Sequence, residues 1–146
     1  MAEKKTPTVF ISYARADEAW ARRFAQAIKK KAGIDTFVDQ YTAGKSIVQQ
    51  TEAALRKSDH FVVVLSPKSV ESQWVNFEIG AAIAGKKHIF PVIKSPTALP
   101  EFLNSYNVVE ESSATAAADH VVSAIAAEFP IESAGRTSAR KLRKAI

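Results

Sequence analysis

Five short apolar runs, each divided from the next by residues of a different period, constrain this chain more than any other feature. TVFISY (8–13), IDTFV (34–38), HFVVVL (60–65) and HIFPVI (88–93) are rich in β-branched and aromatic residues, and a weaker run lies near Tyr106–Val109. Between them the apolar positions recur at helical spacing. Trp20, Phe24, Ala27 and Ile28 share one face, as do Ile47, Thr51, Ala54 and Leu55. Val75, Ile79, Ala82 and Ile83 form the inner stripe of a helix over about 74–85, and Val121, Val122, Ile125 and Phe129 that of a helix over about 114–129. Strands alternating with helices imply a parallel sheet covered on both faces, with right-handed crossovers. The predicted fold is α/β and flavodoxin-like: five parallel strands in the order 2-1-3-4-5, with helices on both faces.

Local signals agree with this division. Asp17 is a candidate N-cap, Lys29 to Lys31 suit the negative end of the helix dipole, and Gly33 stops that helix. Ser46 followed by Gln49 reads as a capping box. HFVVVL is the most apolar run, which places it at the sheet centre, whereas Pro91 argues for a short or irregular fourth strand. The expected division is an N-terminal tail over 1–6, one domain over 7–129, and a basic linker, tail or frayed helix over 130–146 leading toward a further domain.

A chain of 146 residues with 47% hydrophobic content can bury a proper core as one domain. No apolar run approaches the roughly 18 residues that a membrane span needs. The N-terminus has no signal-peptide core, and the absence of cysteine excludes disulfides and thiolate metal sites. A cytoplasmic location is the expectation. The net charge of +5 is concentrated at one end. From Pro130 onward Arg136, Arg140, Lys141, Arg143 and Lys144 face only Glu132, so the folded part is nearly neutral. Stacking aromatics do not interleave with these cations, so specific nucleic-acid recognition is not expected.

In this topology ligands bind beyond the carboxyl ends of the strands, at the switch point between strands one and three. Three segments converge there: SYARAD, DQYTAGKS and SPKSVESQW. AGKS (43–46) ends like a phosphate-binding loop, but that motif needs a glycine where Asp39 stands. Strand three ends in Leu65-Ser66-Pro67, without the aspartate of a phosphoryl receiver, and SYARAD is not the Ser/Thr-rich loop of a flavin site. His60, His88 and His120 are not spaced as a metal cluster, and no metal is expected. The convergent set is Ser12, Tyr13, Arg15, Asp39, Lys45, Trp74 and Glu78. Trp74 and Glu78 lie four residues apart on one helix face, with Glu78 at the edge of the packed stripe. On the residues alone Glu78 is either a solvated charge in an early helical turn or a catalytic carboxylate beside an aromatic wall.

The blocks VFISYARAD, IDTFVDQYTAGKS, SDHFVVVLSPKSVESQW and FEIGAAIA, in this order and spacing, resemble a TIR (Toll/interleukin-1 receptor) domain over about residues 7–129. The last block, SYNVVEE, is thinner in aromatics than the family pattern. TIR domains divide into scaffolds that signal by assembling and enzymes that cleave NAD⁺ at the nicotinamide–ribose bond, and W-x-x-x-E at 74–78 is similar to the bacterial-type, NAD-cleaving branch. That resemblance implies Glu78 as the catalytic carboxylate and Trp74 as the wall of the nicotinamide pocket. It places Ser12, Tyr13 and Arg15 at the nucleotide site, Asp39 facing the same cleft, and Ala43, Gly44 and Lys45 in the loop that closes over it or packs on a neighbouring subunit. The implied function is an NAD⁺ glycohydrolase or cyclase activated by self-association, in bacterial immune signalling, antiphage defence or host interference. NAD⁺ is the substrate, and no cofactor is expected. The alternatives are a non-catalytic scaffold acting through TIR–TIR contacts and a nucleoside ribosyltransferase-like enzyme.

Overall fold

A computed structural model describes residues 8–38 and 46–128 together with the short strand at 142–144. Strands β1 (Thr8–Ser12), β2 (Asp35–Phe37), β3 (His60–Leu65), β4 (His88–Ile93) and β5 (Asn107–Glu110) form a parallel sheet in the order 2-1-3-4-5. A sixth strand, β6 (Leu142–Lys144), pairs antiparallel with β5. Residues 142–144 therefore lie in the sheet rather than in the linker or frayed helix expected there.

The period-two alternation of each strand sorts its side chains into two cores. Val9 and Ile11 of β1, with Val62, Val64 and Val92, pack under α1 (Glu18–Ala32) and α5 (Ala114–Glu128). Phe10, Phe61, Val63 and Leu65 face the other way, toward α2 (Ile47–Lys57) and α4 (Gln73–Ala84). Phe10 stacks on Phe37 at 5.1 Å and on Phe61 at 5.6 Å, its register partners on the two flanking strands. β3 is buried along its whole length, as the centre of the sheet should be.

Several local expectations are modified by tertiary context. Gly33 does end α1 in the left-handed conformation, at φ 67°. Asp17 precedes α1 but makes no capping hydrogen bond, because its carboxylate is taken by distant partners described below. Ser46 accepts the Gln49 backbone N–H, the first half of the expected box, while a reciprocal box forms at Ser66 and Ser69. It caps a short helix, α3 (Pro67–Val70), with Pro67 in its first turn. Pro91 does not shorten β4, which runs six residues. Pairing with β5 begins only at Val92, so at Pro91 the strand is registered with β3 alone. Ile47 is 50% exposed at the start of α2 rather than inward, and Thr51 and Leu55 carry that helix's buried contacts. Val121, Val122 and Ile125 are buried as expected, and the side chain of Phe129 lies outside the described residues.

Candidate active site

The buried stripe of α4 is Val75, Glu78, Ile79 and Ala82, an i, i+3, i+4, i+7 pattern with a carboxylate at a core position. Ile83, expected in that stripe, is instead exposed. Glu78 is only 3% exposed, so it is neither a solvated helix charge nor an edge residue. A partner across the sheet makes this possible. Ser12, last residue of β1, shares the face of Phe10 and thus points toward α4; its Oγ donates to Glu78 Oε1 at 2.6 Å, a distance typical of a charge-assisted bond. The pair joins β1 to α4 across 66 residues of sequence.

Beyond this pair the carboxyl ends of β1 and β3 open into a cleft of about 600 Å³ lined by Tyr13, Ala14, Arg15, Glu18, Arg22, Ile47, Ser72 and Trp74. Tyr13 and Arg15 come from the turn after β1. A 3₁₀ turn over Arg15–Asp17, closed by Asp17 N–H to the Ala14 carbonyl at 2.8 Å, feeds directly into α1. Trp74 reaches the cleft from the first turn of α4, where the Ser72 hydroxyl accepts the Val75 N–H and fixes the helix start. Its indole stacks on Phe77 at 5.0 Å, leaving Phe77 part of an exposed apolar rim. Arg22 and Glu18 pair across one turn of α1 at 3.0 Å, placing one cation and one anion on the same wall.

Of the predicted site residues, Tyr13, Arg15 and Trp74 therefore share one cleft, and Ser12 and Glu78 form a buried pair next to its walls. Ser12 and Glu78 do not themselves line the cleft. Asp39, Ala43, Gly44 and Lys45 lie outside the described residues. Five lining residues were not singled out from sequence, Ala14 being one of them, inside the SYARAD turn. Glu18 and Arg22 carried a signal, as an i, i+4 ion pair beginning just after the SYARAD turn. Ser72 carried one as a cap, and Ile47 had none, since its place in the apolar pattern argued for the core. Among the described residues no group of three or more His, Asp or Glu side chains could hold a metal ion. No helix among them is long and apolar enough to cross a membrane.

The chain is similar to known proteins. The chain is 32% identical over 91 residues to the 2′ cyclic ADP-D-ribose synthase AbTIR of Acinetobacter baumannii, covering 58% of this chain and 34% of that relative. It is 28% identical over 119 residues to the NAD(+) hydrolase SARM1 of Danio rerio, covering 71% of this chain and 16% of that protein. The chain thus spans about a third or less of the length of these relatives. Among solved structures, the TIR domain of the Toll-related receptor TRR-2 from Hydra magnipapillata superposes with a TM-score of 0.64 at 26% identity, covering 70% of this chain and 82% of that one. The sequence model of the TIR domain matches residues 9–122, a span that holds both the Ser12–Glu78 pair and the cleft beside it, and the chain belongs to the TIR domain family.

Proposed function

We propose that this TIR domain cleaves NAD⁺ at the nicotinamide–ribose bond, with Glu78 as the catalytic carboxylate. The observation that carries this reading is the buried Ser12–Glu78 bond beside a cleft walled by Tyr13, Arg15 and Trp74. The cleft's volume is within the range that holds a small-molecule ligand. Arg15 and Arg22 supply cations for a pyrophosphate, and the Trp74 face suits a pyridinium ring.

The chemistry needs one carboxylate rather than two. Nicotinamide is already a pyridinium in NAD⁺, so the C1′–N bond breaks with its electron pair going to nitrogen and the base departs neutral, without a general acid. Positive charge develops on the ribose, and a fixed carboxylate stabilises it more in the transition state than in the ground state. Water attacking C1′ and losing a proton gives ADP-ribose; an adenine nitrogen or a ribose hydroxyl attacking in its place gives a cyclic isomer. Because Glu78 lies beside the cleft walls, substrate binding must shift the Trp74 wall enough to bring ribose against the carboxylate. Self-association, which the family resemblance assigns to the segment holding Asp39, Ala43, Gly44 and Lys45, would supply such a shift, so activity should rise with protein concentration.

Comparing concentrated protein with its Glu78→Gln variant, which keeps the shape and the acceptor oxygen, tests the assignment. NAD⁺ consumption, read with nicotinamide release by chromatography, should fall at least about 100-fold in the variant. Equal turnover in both proteins would falsify the role of Glu78, and no turnover in either when crowded favours the scaffold reading. Similarity to the TIR domain of a Toll-related receptor supports that alternative, in which the exposed Ile47, Val48 and Phe77 serve homotypic contacts.

A further inference from the structure

Asp17 stands where an N-cap is expected, yet its carboxylate caps nothing. Its backbone, at φ −102° and ψ 12°, is outside the extended region that a capping residue adopts. Instead the side chain is 4% exposed and reaches two other strands' ends. Ser66 Oγ donates to Oδ2 at 2.6 Å, and Lys94 Nζ donates to Oδ1 at 2.7 Å. These partners follow β3 and β4 and lie 49 and 77 residues away. A buried carboxylate with both oxygens taken by charge-assisted bonds is a rigid junction, since either bond alone would leave a desolvated oxygen.

What this junction holds is the cleft. On one side, Asp17 closes the 3₁₀ turn that follows Tyr13 and Ala14 and contains Arg15. On the other, the Ser66 hydroxyl that donates to Asp17 also accepts the Ser69 N–H at 3.2 Å and so starts α3. α3 runs through Ser72 into α4, which carries Trp74 and Glu78. Lys94 supplies the compensating charge and is itself pinned, its own N–H bonding the Leu65 carbonyl at 3.0 Å. Asp17 does not line the cleft.

The geometry points to Asp17, braced by Ser66 and Lys94, as a positioning residue that fixes the Tyr13–Arg15 wall and the Trp74–Glu78 wall relative to each other. The inference rests on the NAD⁺-cleaving reading for its kinetic consequence, but its structural content can be tested without turnover. The chain has two tryptophans, and Trp20, on the buried face of α1, is 5% exposed. Acrylamide quenching of tryptophan fluorescence therefore reports chiefly on Trp74 in the cleft wall.

Two variants break the brace at opposite ends: Asp17→Asn, whose amide N–H₂ or lost charge mismatches Lys94, and Lys94→Met, which keeps most of the apolar stem. Lys94→Arg keeps the charge. In Asp17→Asn and Lys94→Met the native-state quenching constant should rise about twofold as the wall loosens, and Lys94→Arg should return it to the wild-type value. With NAD⁺, KM should rise about 10-fold or more through misplacement of the walls, again recovered by Lys94→Arg. A fall in Tm with quenching unchanged in both brace-breaking variants overturns the inference, since it would make Asp17 a general stability residue. If wild-type protein cleaves no NAD⁺, the enzymatic reading fails by itself, and the quenching series still decides whether the brace holds the walls.

Discussion

Ser12→Ala removes one hydroxyl from a site where Ser12 is 1% and Glu78 3% exposed. The 2.6 Å bond that it deletes runs between elements 66 residues apart, so no local rearrangement of chain can replace it. Hydrogen bonds to charged groups contribute about 1.5–3 kcal/mol, against about 1 kcal/mol for a neutral pair. We expect Ser12→Ala to destabilise the fold by about 2 kcal/mol, which for a domain of this size lowers Tm by about 8 °C. In a Glu78→Gln background the acceptor is a neutral amide oxygen, and the same substitution should cost only about 1 kcal/mol. The double-mutant cycle should then return a coupling of about 1 kcal/mol. Urea titration followed by circular dichroism measures all four corners, and equal m-values certify that the comparison is between like transitions. Additivity within about 0.3 kcal/mol would refute the bond as an energetic link between β1 and α4. In the NAD⁺ assay Ser12→Ala should also reduce kcat by about 10-fold or more, because the carboxylate loses the bond that fixes it against β1.

Two further outcomes bear on separate parts of the structure. Trp74→Ala should raise KM for NAD⁺ by about 3- to 30-fold with a smaller change in kcat, the signature of lost ground-state binding, while Trp74→Phe retains the stack on Phe77 and most of the affinity; steady-state kinetics would expose an error if kcat fell instead. Gly33→Ala should cost about 1 kcal/mol and leave NAD⁺ turnover unchanged, because the added methyl meets nothing within 4 Å and only the positive φ opposes it; a thermal melt showing a much larger loss would mean that the α1 terminus is packed differently.

The parallel sheet and its order were legible because they depend on period, and period survives in a single sequence. Trp20, Phe24 and Ile28 lie together in the core, on the face that helical spacing assigned them. Local rules failed where a distant partner outbid them. An aspartate before a helix is ordinarily a cap, but Ser66 and Lys94 offer Asp17 two charge-assisted bonds in a buried setting, against one exposed backbone N–H. Pro91 failed as a strand breaker for a different reason: pairing of β4 with β5 starts one residue after it. Neither outcome can be read from the residues flanking Asp17 or Pro91.

Glu78 shows most clearly what sequence alone leaves undecided. α4 is apolar around most of its circumference, so its stripe can be completed either as Val75, Ile79, Ala82 and Ile83 or as Val75, Glu78, Ile79 and Ala82. Transfer energetics favour the first, since they leave the carboxylate in water. The structure has the second, with Ile83 exposed and Glu78 inside. The missing information was on β1, where alternation puts Ser12 on the face of Phe10 and so opposite α4. A polar residue there requires a polar partner, and Glu78 is the group that meets it. Such a pair is a poor device for stability alone. Apolar residues of similar volume often do as well or better in a core, and one half of the pair without the other is strongly unfavourable. A chain with Ile83 available for the same helix nonetheless places a carboxylate inside, next to the only cleft wall built from Trp74 and Tyr13 among the described residues. Under the proposed NAD⁺-cleaving function, chemistry at the cleft, rather than the stability of the sheet, gives that placement a physical reason.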